Sequence, residues 1–163
     1  MKLKSTMTAL AAQLLLAGAA AAQTCTPSAG PLNDASGTLN IDTCSSTDQL
    51  TSICNSSTPI GNAPDTIYSV NIVPPGLRVE VTPSNYDAYV AALQGTCSGG
   101  ATCVRESDNP GVGAAGKETI SFVGASPGTY FLLITSFNAV GNCGPTVVQP
   151  FPTPVSLQSF SIE

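Results

Sequence analysis

The stretch LRVEVT, residues 77–82, alternates strictly between apolar and charged or polar positions. A two-residue period of this kind belongs to a β-strand with one buried and one wet face. It turns Leu77, Val79 and Val81 inward and Arg78 and Glu80 outward. The same reading extends along the chain. TIYSVNIV (66–73) carries Tyr68, Val70 and Ile72 on one face, YDAYVAAL (86–93) and ETISFV (118–123) follow, and GTLNI (37–41) adds a short strand near the N-terminus. TYFLLITSF (129–137) is apolar on both faces, as a central strand of a two-layer sandwich should be. Clusters of Gly, Pro, Asn and Ser separate these runs, so the expected class is all-β, an antiparallel β-sandwich. Pro74-Pro75-Gly76 is expected to make a hairpin connection. After Asn142 the prolines at 145, 150, 152 and 154 predict an edge or irregular stretch over 145–154, before a final strand in VSLQSFSI (155–162).

The N-terminal stretch MKLKSTMTALAAQLLLAGAAAAQ places Lys2 and Lys4 before an uncharged Ala- and Leu-rich run that ends in Ala20-Ala21-Ala22. This is the pattern of a secretory signal peptide, which predicts cleavage after residue 22 and one domain over 23–163, secreted or periplasmic and not inserted in a membrane. All six cysteines lie in that domain: Cys25, Cys44, Cys54, Cys97, Cys103 and Cys143. In an oxidising compartment they imply three disulfides, for which sequence alone permits about fifteen pairings. Gly99-Gly100 makes the step from Cys97 to Cys103 short and flexible, so a local bridge is expected there, with Cys44 to Cys54 and Cys25 to Cys143 completing the set. Three basic residues, Arg78, Arg105 and Lys117, face ten carboxylates in the predicted mature chain, a net charge of about −7 that argues against nucleic acid as a partner.

The chain contains no histidine, which removes Ser-His-Asp and Cys-His chemistry and the usual general base at neutral pH. Gly124-Ala125-Ser126-Pro127-Gly128 matches the G-x-S-x-G nucleophile elbow, but an elbow needs a helix after the serine, and here a strand follows. Pro127 also removes the N–H that would help build an oxyanion hole. Gly111, Gly113 and Gly116 satisfy G-x-G-x-x-G ahead of Lys117, yet Glu118 stands where a P-loop needs Ser or Thr. Both stretches are expected to be plain connections, a hairpin turn at Ser126 and a surface loop at the glycines.

Paired carboxylates could serve a glycosidase without histidine, and Asp87, Glu106, Asp108 and Glu118 are the candidates, though no pair has a recognisable spacing. No cofactor is expected. Were a calcium ion to bind, its place would be RESDNPG (105–111), where Glu106, Asp108 and Asn109 cluster. Tyr86 and Tyr89 are the aromatic residues able to reach a surface, and their expected role is packing.

The order of segments resembles the bacterial pre-peptidase C-terminal (PPC) domain family. The resemblance rests on a strand introduced by Asp65 and carrying Tyr68, Gly76 after a turn, and a second strand with Asp87. A loop between Cys97 and Cys103 and the turn Pro127-Gly128-Thr129-Tyr130 follow. It spans residues 63–136 and implies a jelly-roll-like β-sandwich acting as a non-catalytic module for secretion, surface attachment or binding of a fibrous substrate. The function expected is thus a secreted binding or surface-interaction module, not an enzyme, whose partner is an extracellular polymer or cell-envelope component. The alternative is a structural or assembly component of the envelope that pairs its terminal PVSLQSFSIE with another subunit. Binding is expected in the loop over 98–117, through Arg105, Glu106 and Asp108.

Overall fold

The computed structural model describes residues 24–33, 35–54, 58–136 and 142–153. The predicted signal peptide and the predicted strand over 155–162 lie outside the described residues. Among these residues eleven strands form two main sheets and a small ribbon. The first sheet orders β1 (Ala29–Leu32), β5 (Thr66–Ile72), β10 (Gly128–Ser136), β7 (Ala88–Gln94) and β8 (Thr102–Ser107). The second orders β2 (Leu39–Asp42), β11 (Pro145–Pro152), β6 (Leu77–Pro83) and β9 (Glu118–Ser121). The short strands β3 (Ser52–Ile53) and β4 (Thr58–Pro59) pair with each other. Pairing is antiparallel throughout the main sheets except where β1 joins β5 in parallel. The expected all-β sandwich is the architecture observed.

Alternation places the core between the sheets. Tyr68, Val70 and Ile72 of β5 and Leu77, Val79 and Val81 of β6 are buried there, with Val90, Leu132, Ile134 and Val148. Each such side chain contributes about 1.5–3 kcal/mol by leaving water. Phe122 meets Tyr130 edge-on across this core, with ring centroids 5.5 Å apart. The five-stranded sheet is covered on its other face too. Ile67, Tyr89, Ala91, Leu93 and Leu133 pack beneath Leu50, Ile53 and Ile60, which belong to the excursion between β2 and β5. That second cover explains why β10, central in its sheet, is apolar on both sides.

The Pro74-Pro75-Gly76 turn and the turn around Ser126 are not hairpins, because β5 and β6, and likewise β9 and β10, belong to different sheets. Alternation says which face of a strand is buried but not which strand lies beside it, and a short turn can as well bridge the roughly 10 Å between layers. The proline-rich stretch 145–154 is mostly regular, since residues 145–152 form β11 between β2 and β6. β2 reaches only residues 145–148, so Pro150 and Pro152 fall where β11 has a single neighbour and a missing N–H costs no ladder bond.

The expected loop over 98–117 contains strand β8. Its pairing with β7 slips between Ala92 and Leu93, opposite Arg105 and Cys103, which makes Val104 the extra residue of a bulge. All three expected disulfides are replaced by Cys25–Cys97, Cys44–Cys143 and Cys54–Cys103, with Cα separations of 5.2, 5.0 and 4.7 Å. Tertiary pairing selects them. Thr24 bridges Ser98 and Cys25 N–H donates to Cys97 O, while Thr43 N–H donates to Gly144 O beside Cys44 and Cys143.

Candidate functional site

Ser126 lies exposed in the arch between β9 and β10. Tyr130 Oη donates to the Ser126 carbonyl at 2.8 Å and Ala125 N–H to Phe122 O at 3.0 Å, so this turn is held by ordinary turn bonds. Strand β10 follows it, as the sequence indicates, and no helix. In the glycine loop, Gly116 presses on Gly111, where an added Cβ would sit 2.2 Å from the Gly111 carbonyl oxygen. Lys117 Nζ is turned to Glu80 at 2.9 Å, and strand β9 begins at Glu118, so the loop has neither the helix nor the free lysine of a phosphate cradle.

The carboxylates are tied to the backbone around them. Glu118 is fully buried and accepts Asn109 N–H at 2.7 Å, while Asp87 accepts Gly111 N–H at 2.9 Å; together they clamp the loop after β8. Burial raises the Glu118 carboxyl above its ordinary range, and the neighbouring Asp108 and Asp87 add to the rise. Asp108 is raised as well, by desolvation and by Asp87. Asp65, also fully buried, accepts Gln49 N–H at 2.8 Å and Leu50 N–H at 2.7 Å. Its carboxyl is pushed up to about 6, chiefly by burial. In the sequence Asp65 stands out only as a strand opener; its place in APDTIYS, beside apolar residues, is the available signal of its burial.

The three residues expected to bind a ligand do not converge. Arg105 and Glu106 are consecutive on β8 and so project to opposite faces, and Asp108 lies beyond the strand's end, beside Asp87. Arg105 Nη1 folds back on the Val104 carbonyl at 2.7 Å. Glu106 accepts the Tyr89 hydroxyl and stands next to the Cys54–Cys103 bridge. The two sulfurs and the Glu106 carboxylate lie within 4.8 Å of one another, but both sulfurs are bonded to each other and offer no thiolate. Tyr86 and Tyr89 are buried, and the Tyr86 hydroxyl shares a 2.8 Å hydrogen bond with Thr146. Concave surface occurs elsewhere, on the side where β1 and β2 form the sheet edges. A cleft of about 540 Å³ opens there between Pro31, Leu32, Leu77 and Pro152.

The described residues thus define a disulfide-tied β-sandwich with a surface cleft of mixed apolar and polar lining and with its buried carboxylates engaged in holding loops. No family model and no curated protein matches the chain. Among solved structures it is similar to the pre-peptidase C-terminal domain of a collagenase from Bacillus anthracis, with 13% identity and a TM-score of 0.45, covering 78% of this chain and 99% of that chain.

Proposed function

We propose that this protein is an exported, PPC-like binding or surface-interaction module without catalytic activity, and that it engages an extracellular polymer or a cell-envelope component. The observation that carries the reading is the engagement of Asp65, Asp87 and Glu118 with backbone N–H groups in a chain that has no histidine. Those three stabilise loops, Glu106 holds the Tyr89 hydroxyl, and a hydrolytic mechanism needs a pair of carboxylates poised toward an open pocket. Two further points support it. Three disulfides suit an oxidising compartment, and the segments that resemble the PPC family, residues 63–136, supply β5 to β10 of the sandwich.

Within this reading the exposed edge of β8 and the turn after it are the binding surface, with Arg105 and Asp108 as its charged contacts. Glu106 shapes that edge through its bond to Tyr89. The test is retention of the protein lacking residues 1–22 on insoluble polysaccharides, fibrous protein and envelope fractions, repeated with Arg105→Ala/Asp108→Ala. Retention on one class that the double variant reduces without a change in melting temperature is the expected result. Absence of retention on every class, or turnover of any of them, overturns the proposal.

A further inference from the structure

The cleft beside Pro31 and Pro152 belongs to a longer trough. A second hollow of about 540 Å³ lies further along the same side, between Gly30, Leu39, Ile41 and Tyr68, and Pro31 borders both. This is the open side of the sandwich, where neither edge strand has an outer neighbour among the described residues: β1 pairs only with β5, and β2 only with β11. Leu39 and Ile41 are half-buried against the core from here, and Val73 at the trough's end is 64% exposed. Beyond the reach of β2, the outer edge of β11 carries Pro150 and Pro152. Any segment lying against it must pack side chains, because the prolines offer no N–H for a ladder.

β11 delivers the chain to the rim of this trough. Thr153 lines the cleft and its hydroxyl donates to the Gly76 carbonyl at 2.9 Å, at the point where residues 154–163 begin. Those ten residues, PVSLQSFSIE, carry Val155, Leu157, Phe160 and Ile162 among small and polar neighbours. Extended, they span roughly 33 Å, enough to run along both hollows. A segment tethered at the rim meets the trough at an effective concentration on the order of millimolar, an advantage that no free ligand or second copy shares.

We propose that the trough on the open side of the sandwich is the docking site of residues 154–163 of the same chain, with Leu157 and Phe160 as its apolar anchors. The segment acts as a strap that covers the half-buried Leu39 and Ile41. This proposal is independent of the polymer-binding surface at β8 on the opposite edge.

The test uses the full chain and its Leu157→Asp/Phe160→Asp variant, with Val155→Asp as a milder second variant. Hydrogen exchange is followed at residues 39–42 and 71–77, with Ala88–Gln94 as an internal control of folding. A labelled peptide PVSLQSFSIE is the probe of the vacated trough. Expected are exchange about tenfold faster at 39–42 and 71–77 in the variants, no change in the control strand, and peptide binding by the variants but not by the parent. Equal exchange in parent and variants, or no peptide binding by either, overturns the proposal. A parent dimer that the variants dissociate also overturns it, because the segment then docks on a second copy.

Discussion

The carboxylate of Asp65 receives the backbone N–H of Leu50 at 2.7 Å, joining the start of β5 to the excursion that covers the outer face of the first sheet. Its second oxygen, the Thr135 hydroxyl and the Ser136 hydroxyl are buried without a well-formed hydrogen bond. Burial raises the Asp65 carboxyl from 3.8 to about 6. The folded state therefore holds a proton that the unfolded state releases, and stability falls as pH rises across that interval. The contribution of protonated Asp65 is complete below pH 3.8 and lost above about 6, which amounts to roughly 3 kcal/mol. Glu118 and Asp108 are raised too and act in the same direction. Urea denaturation should show higher stability at pH 5 than at pH 8, with a flatter profile for Asp65→Asn. A wild-type profile that rises over this range would contradict the assignment.

Cys44 and Cys143 are separated by 99 residues, Cys25 and Cys97 by 72, and Cys54 and Cys103 by 49. In the chain-entropy model each closure stabilises by about 4–5 kcal/mol, with the longest ahead of the shortest by only ~0.6 kcal/mol. Removing any one pair as a double Ala variant should lower stability by several kcal/mol, with similar losses for the three. Non-reducing peptide mapping should recover Cys97 with Cys25. A Cys97–Cys103 peptide would disprove the pairing.

Gly76 closes the arch from β5 to β6 with φ of +112°, and a Cβ there would sit 2.7 Å from the Phe122 carbonyl oxygen. Both the backbone conformation and the backbone contact oppose a side chain, so Gly76→Ala should cost about 1–3 kcal/mol. Gly124, also at positive φ but with open space around it, should cost less. Melting temperatures of the two variants compare the effects directly.

Ser126 should be inert to a fluorophosphonate probe, since it sits in a turn before a strand and the chain lacks a histidine to accept its proton. Stoichiometric labelling that disappears in Ser126→Ala would show that another group of the chain serves Ser126 as a base.

The residues of LRVEVT and TYFLLITS carry their own burial pattern, so the strands, their inward faces and the central place of β10 were legible in the sequence. Alternation is a local property, set by the pleat and by the polarity of each side chain. The same holds for the missing histidine and for Pro127, which deny the Ser126 motif an imidazole base and a following N–H. Partner choice is different in kind. Whether Pro74-Pro75-Gly76 turns within a sheet or across two depends on which surfaces bury most apolar area together, and that sum runs over residues far apart in the chain. The disulfides followed from it: Cys103 lies six positions from Cys97, yet the excursion over the outer face brings Cys54 to it, while Thr24 pairing with Ser98 brings Cys25 to Cys97. That residues 102–107 pair with β7 as a strand, where a loop was expected, was likewise decided by tertiary structure, and so was the burial that raises Asp65, because desolvation depends on what the rest of the chain packs around a side chain.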